Sequence, residues 1–115
     1  MSLDITLYVK VDTGGDQPHF VDLWEGNITH NLGKMADAAG IYYAMWRPEE
    51  IGIEYAGDMI EHLEGGLDEL KRQPEFYKEF DSPNGWGRYE NFVPFIVKYL
   101  AACKEHPKAK IHVCR

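Results

Sequence analysis

The chain has 115 residues, a common size for one domain and long enough to bury a core without disulfide or metal staples. At 44% hydrophobic, 27% charged and 13% aromatic, it is too apolar for a disordered or low-complexity chain. Its 12 basic and 19 acidic residues leave a net charge of −7, which argues against a protein built to grip a nucleic-acid backbone, since such proteins carry a basic face.

Leu3, Ile5, Leu7, Val9 and Val11 alternate with Asp4, Thr6, Tyr8, Lys10 and Asp12, which predicts a half-buried strand over 3–11. The run Asp12-Thr13-Gly14-Gly15-Asp16 supplies turn residues, and a second strand over 19–25 closes an antiparallel hairpin with a loop longer than two residues. The period then changes to that of a helix. Asn27 or Thr29 is placed to cap it, Leu32, Met35, Ala36 and Ala39 form its inner face, and Gly40 ends it. Residues 41–53 read as an aromatic connector, in which Pro48 biases Arg47 towards an extended backbone.

A longer helix follows over 55–73, with Ala56, Met59, Ile60, Leu63, Leu67 and Leu70 on one stripe. Gly65-Gly66 inside it costs about 1 kcal/mol per glycine relative to alanine, a cost that close packing or a kink would explain. Pro74 starts a short turn over 75–80, and 81–87 is a loop by composition. The last helix covers 88–105, where Pro94 must lie in the first turn or bend the axis. Ala109, Ile111 and Val113 then alternate with Lys108, Lys110, His112 and Cys114 as a C-terminal strand. The expected fold is α+β in the order β-β-α-α-α-β. It is a single domain over 1–115, with a mainly antiparallel three-stranded sheet and helices packed on one face. Such a sheet has two open edges, and homodimerisation through one of them is expected.

Cys103 and Cys114 form no CxxC pair, and His19, His30, His62, His106 and His112 are scattered, so no metal site and no cofactor are expected. Serine occurs only at positions 2 and 82, outside any nucleophile motif, and Gly14-Gly15 lacks the context of a phosphate loop. No segment approaches the roughly 20 apolar residues of a membrane span, and the N-terminus lacks a basic and apolar leader. A cytoplasmic protein with reduced thiols is expected.

Two regions hold the residue types that bind ligands. In Asn27-Ile28-Thr29-His30-Asn31-Leu32, polar side chains crowd a helix start, where free N–H groups favour an anion; capping alone leaves His30 and Asn31 over. Trp46-Arg47 and Asn84-Gly85-Trp86-Gly87-Arg88-Tyr89 combine Trp with Arg in loops beside helix starts, and indoles stack on bases while guanidinium clamps phosphate or carboxylate. The competing reading has both indoles plugging the core, with Arg47 and Arg88 paired to nearby acids.

These same segments, with Pro48-Glu49-Glu50 after the first Trp-Arg pair and Tyr89, Phe92, Val93 and Tyr99-Leu100 after the second, carry a resemblance. In the same order and over most of the chain, the sequence resembles a group of small phage and prophage proteins of unassigned function. The resemblance implies origin more than activity. Small accessory phage proteins often act in the host cytoplasm against its defences, by blocking a protein or by soaking up a nucleotide signal. No catalytic or binding residue carries over from it.

The leading expectation is a non-enzymatic protein that binds a small anionic ligand, plausibly a nucleotide-derived signal. Thr29, His30 and Asn31 would offer polar contacts, Arg47 and Arg88 would neutralise charge, and Trp46 or Trp86, with Tyr89 beside them, would stack. The rival is an inhibitor that docks on a basic host protein through Glu49, Glu50, Glu54, Asp58, Glu61 and Glu64. A third reading is a hydrolase using His30 and a nearby carboxylate.

Overall fold

The computed structural model describes residues 2–115. β1 (Ser2–Val11) is the centre of a three-stranded sheet, with β2 (His19–Thr29) and β3 (Lys110–Cys114) antiparallel to it on either side. The alternation in the sequence decides which face is covered: Leu3, Ile5 and Leu7 are fully buried, while Asp4 and Lys10 on the opposite face are exposed. Helices close the apolar face, so the fold is α+β around an open antiparallel sheet.

β2 runs further than its composition predicts, through Gly26 to Thr29. A glycine weakens a strand by propensity, but here a Cβ at position 26 would lie 2.9 Å from the Phe95 ring and would also meet Trp24. Close approach of two aromatic rings, not a turn, is the reason for that glycine. Asn27 is consequently a strand residue and not a helix cap: its amide donates to Asp4 Oδ1 at 2.6 Å and to Ser2 Oγ at 3.0 Å. A bulge after Leu7 pairs Leu7 with Trp24 but Tyr8 with Asp22. Beyond Tyr8 the hairpin has no third strand and projects as an arm, giving the molecule extents of 53 × 26 × 23 Å. The outer edge of β3 is partly occupied, since the Ile111 N–H donates to the Glu54 carbonyl at 3.1 Å.

A 3-10 turn over His30–Leu32 leads into α1 (Gly33–Ala38), and Gly40 follows at φ +80°. The connector is more ordered than the sequence suggests. It holds α2 (Tyr42–Trp46) and a second 3-10 turn over Pro48–Ile51, pieces too short for a 3.6-residue period to reveal. Arg47 between them sits at φ −137°, ψ 51°, short of the extended conformation expected before a proline.

α3 (Ala56–Arg72) buries Ala56, Met59, Leu63, Gly66 and Leu70, and packs on α5 (Tyr89–Glu105). Between them, α4 (Pro74–Lys78) buries Tyr77, whose hydroxyl donates to Glu69 Oε1 at 3.1 Å. Pro94 is the sixth residue of α5, past the first turn where proline costs nothing. In a helix interior the residue is unfavourable by about 3 kcal/mol. Cys103 lies in the core, where burial pushes its thiol pKa up to about 12, whereas Cys114 is exposed. Far below that value almost no thiolate exists to react. Iodoacetamide at mildly alkaline pH is therefore expected to label Cys114 alone in the native protein and both cysteines in urea, as counted by mass spectrometry.

The two adjacent glycines of α3 separate cleanly. A Cβ at Gly66 would lie 2.9 Å from Ile41 Cδ1 and closer still to Cγ2, while a Cβ at Gly65 would meet nothing within 4 Å. Urea unfolding of Gly65→Ala should show a gain of about 0.5–1 kcal/mol from helix propensity. Gly66→Ala should show a loss of about 1–3 kcal/mol from overpacking against Ile41.

Candidate functional site

The strand-to-helix turn at the end of β2 positions two separate clusters. Thr29 starts it, its Oγ1 accepting the Asn31 N–H at 3.2 Å. From there His30 turns towards α2 and Asn31 towards the loop before α5.

On the His30 side, Trp46 is 2% exposed and its Nε1–H donates to His30 Nδ1 at 2.9 Å. Tyr42 stacks on the same indole, with ring centroids 5.5 Å apart and planes 13° apart. Arg47 donates through Nε to the Tyr42 hydroxyl at 3.3 Å and through Nη1 to Glu50 at 2.8 Å. Those partners, Glu50 foremost, raise its pKa above the ordinary guanidinium value. Trp46 is thus core and Arg47 is already neutralised, so neither presents a free face or charge. A shallow hollow of about 400 Å³ remains beside them, between His30, Lys34, Asp37 and Tyr42.

On the Asn31 side, the loop before α5 is held from several directions. Asn84 Oδ1 accepts the Trp86 N–H at 2.9 Å and the Ser82 hydroxyl at 2.6 Å, and the Ser82 N–H donates to the Gly87 carbonyl at 3.2 Å. Asn31 Nδ2 donates to the Trp86 carbonyl at 2.9 Å. Gly87 has φ +100°, and a Cβ there would lie 2.8 Å from Asn31 Cβ and 3.2 Å from Thr29 Cγ2. Only glycine combines that backbone with that approach. The result is a fixed backbone carrying an indole that is 70% exposed.

Trp86 stands at the margin of a cleft of about 680 Å³, within the roughly 300–1,000 Å³ typical of small-molecule sites. One wall is the end of β2, Asn27, Ile28 and Thr29, with Leu32 behind it. The other is a stripe of α5 in which Asn91, Pro94, Phe95 and Lys98 recur at i, i+3, i+4 and i+7. Glu90 also lines the cleft, and it lies 3.9 Å from Arg88. Among the described residues, Lys98 has no carboxylate within 4.0 Å.

Thr29 and Trp86 therefore line one cleft and Asn31 holds the Trp86 backbone beside it, while His30, Trp46 and Arg47 form the other cluster. Arg88 flanks the cleft through Glu90. Tyr89 is structural: its N–H donates to Asp81 Oδ1 at 2.7 Å and its hydroxyl to the Leu70 carbonyl at 2.9 Å, tying α5 to α3. The sequence marks Pro94 only as a helix irregularity and does not single out Asn91, Phe95 or Lys98. Their signal was a proline inside a helical pattern, on a stripe that mixes polar with apolar residues. No family model, curated protein or solved structure matches the chain.

The acidic face is largely compensated from within. Glu49 pairs with Arg115 at 2.5 Å, Glu50 with Arg47, Glu54 with Lys110 at 3.5 Å and Glu64 with Lys104 at 3.6 Å. Partial desolvation works against the Glu49 charge, yet the Arg115 hydrogen bond, a backbone hydrogen bond and the charges of Arg115 and Arg47 together outweigh it and leave its pKa below the ordinary value. Asp58 accepts the Tyr55 N–H at 3.4 Å at the start of α3, which leaves Glu61 without a partner among the described residues. No group of three or more His, Cys, Asp or Glu side chains among the described residues is placed to hold a metal ion.

Truncating His30 would strand a buried indole N–H. His30→Ala is expected to lower stability by about 1–3 kcal/mol in urea unfolding while leaving Trp86 as accessible to acrylamide as before. Loss of Trp86 accessibility in that variant would show that the two clusters are coupled.

Proposed function

We propose that this protein is a non-enzymatic binder of a small, planar, anionic ligand, such as a nucleotide-derived signal, held in the cleft beside Trp86. The observation that carries the reading is an exposed indole fixed on a tightly hydrogen-bonded loop at the edge of a cleft of about 680 Å³. Exposing so large an apolar face is unfavourable unless something stacks on it, and a base or similar heterocycle has a complementary π-face. Because the loop backbone is already ordered, binding loses little further conformational entropy.

The cleft's polar groups fit recognition better than turnover. Asn91 and Thr29 can donate and accept hydrogen bonds, the Asn27 side-chain oxygen can accept them, and Lys98 supplies one positive charge. Glu90 is the single carboxylate lining it, with no histidine or cysteine, so the paired groups of acid–base or nucleophilic catalysis are missing there. His30, the residue on which the hydrolase reading rests, has Nδ1 engaged by Trp46. Ion pairs across the acidic face also leave less uncompensated charge for a basic protein partner. In the setting implied by the resemblance to small phage proteins, such a binder would sequester a host signal without consuming it.

Trp86 is the one exposed indole, Trp46 being enclosed and Trp24 stacked on Tyr99 at 5.2 Å. Titration with AMP, cyclic AMP and CMP should quench its fluorescence, and Trp86→Ala should weaken binding by about 1–3 kcal/mol in calorimetry without lowering Tm. Absence of quenching and of heat with every nucleotide would rule the reading out.

A further inference from the structure

We infer that the cleft is matched to a nucleotide whose base carries an exocyclic amino group, which donates to the backbone carbonyl of Glu90 while Lys98 meets the phosphate. This rests on the cleft being the ligand site, as proposed above.

Pro94 is the starting point. In α5 the carbonyls of Arg88 and the residues after it accept from N–H groups four positions on, as the Phe92 N–H does to Arg88 at 3.0 Å. The donor due to Glu90 is position 94, and proline has no N–H. Pro94 is itself exposed and fills no space in the core, so packing does not explain its presence in the second turn. Both residues line the cleft, and a helical carbonyl points along the axis towards the residue four positions on. The Glu90 carbonyl is therefore a backbone acceptor, deprived of its helical partner, on the wall next to Trp86.

An acceptor in that place selects a donor on the ligand. A planar ring resting against Trp86 that also presents an N–H₂ at its edge satisfies both features, as adenine and cytosine do. Lys98 lies two turns further along the same stripe, roughly 12 Å from Glu90 at 1.5 Å per residue, a span comparable to an extended mononucleotide. With no carboxylate partner of its own among the described residues, its ammonium is free to meet a phosphate as a point charge. Asn91 and the side-chain carbonyl oxygen of Asn27 remain for the sugar and the ring edge.

The test compares AMP with purine riboside 5′-monophosphate, which lacks only the 6-amino group, and with adenosine, which lacks only the phosphate. Calorimetry on the wild-type protein should show AMP binding about tenfold or more tightly than either analogue. Pro94→Ala restores an N–H for Glu90 and should unfold at higher urea concentration. In that variant the preference for AMP over the deaminated analogue should fall to about onefold while the preference over adenosine stays. Lys98→Ala should do the reverse. Equal binding of AMP and the deaminated analogue, or a preference that Pro94→Ala leaves unchanged, would overturn the inference and leave the cleft reading standing. No binding by any nucleotide overturns both.

Discussion

The hydrogen bond by which Thr29 Oγ1 accepts the Asn31 N–H does more than cap a turn. It sets the point at which the chain stops pairing with β1 and begins to coil, and so fixes the directions in which the next two side chains leave. His30 reaches the indole of Trp46, and Asn31 reaches the Trp86 carbonyl. One tight turn therefore ties the sheet to the connector on one side and to the α5 loop on the other. The cleft lies between the end of β2 and the start of α5, beside the second of those attachments.

Rigidity in this region comes from polar groups, since the loop before α5 has little apolar surface to bury. Asn84, Asn31 and Ser82 satisfy its backbone, and Gly87 fits where any side chain would collide with Thr29 and Asn31. The conformational cost is met by folding, before a ligand arrives. Trp86 itself takes no part in the hydrogen bonding beyond its backbone, and its ring is free for recognition.

Charge acts on two scales. Over the whole surface the excess of acids favours solubility, and most of the carboxylates on the connector and α3 are offset by nearby lysines and arginines. Inside the cleft the balance is local: Glu90 stands near Arg88, and Lys98 stands alone among the described residues. At ordinary ionic strength screening over about 8–10 Å makes the local arrangement the one a bound ligand feels. An anion can bind to a protein of net negative charge for that reason.

By itself, the sequence determined the strands and the two long helices, because period-2 alternation in β1 and the Leu63–Leu67–Leu70 stripe of α3 are local patterns that burial requires. It also contained the loop that carries Trp86, legible from its glycines and aspartate. Tertiary structure alone decided what those residues are for. Trp46 and Trp86 sit in similar sequence contexts, each beside an arginine or glycine at a helix boundary, yet one is enclosed by Tyr42 and His30 and the other faces water. Gly65-Gly66 left close packing and a kink both open in the sequence, and only the approach of Ile41 to Gly66, like that of Trp24 and Phe95 to Gly26, shows close packing. The α5 stripe became a wall only when the end of β2 stood opposite it. Contacts between residues far apart in the chain set each of these outcomes, and no local period encodes such contacts.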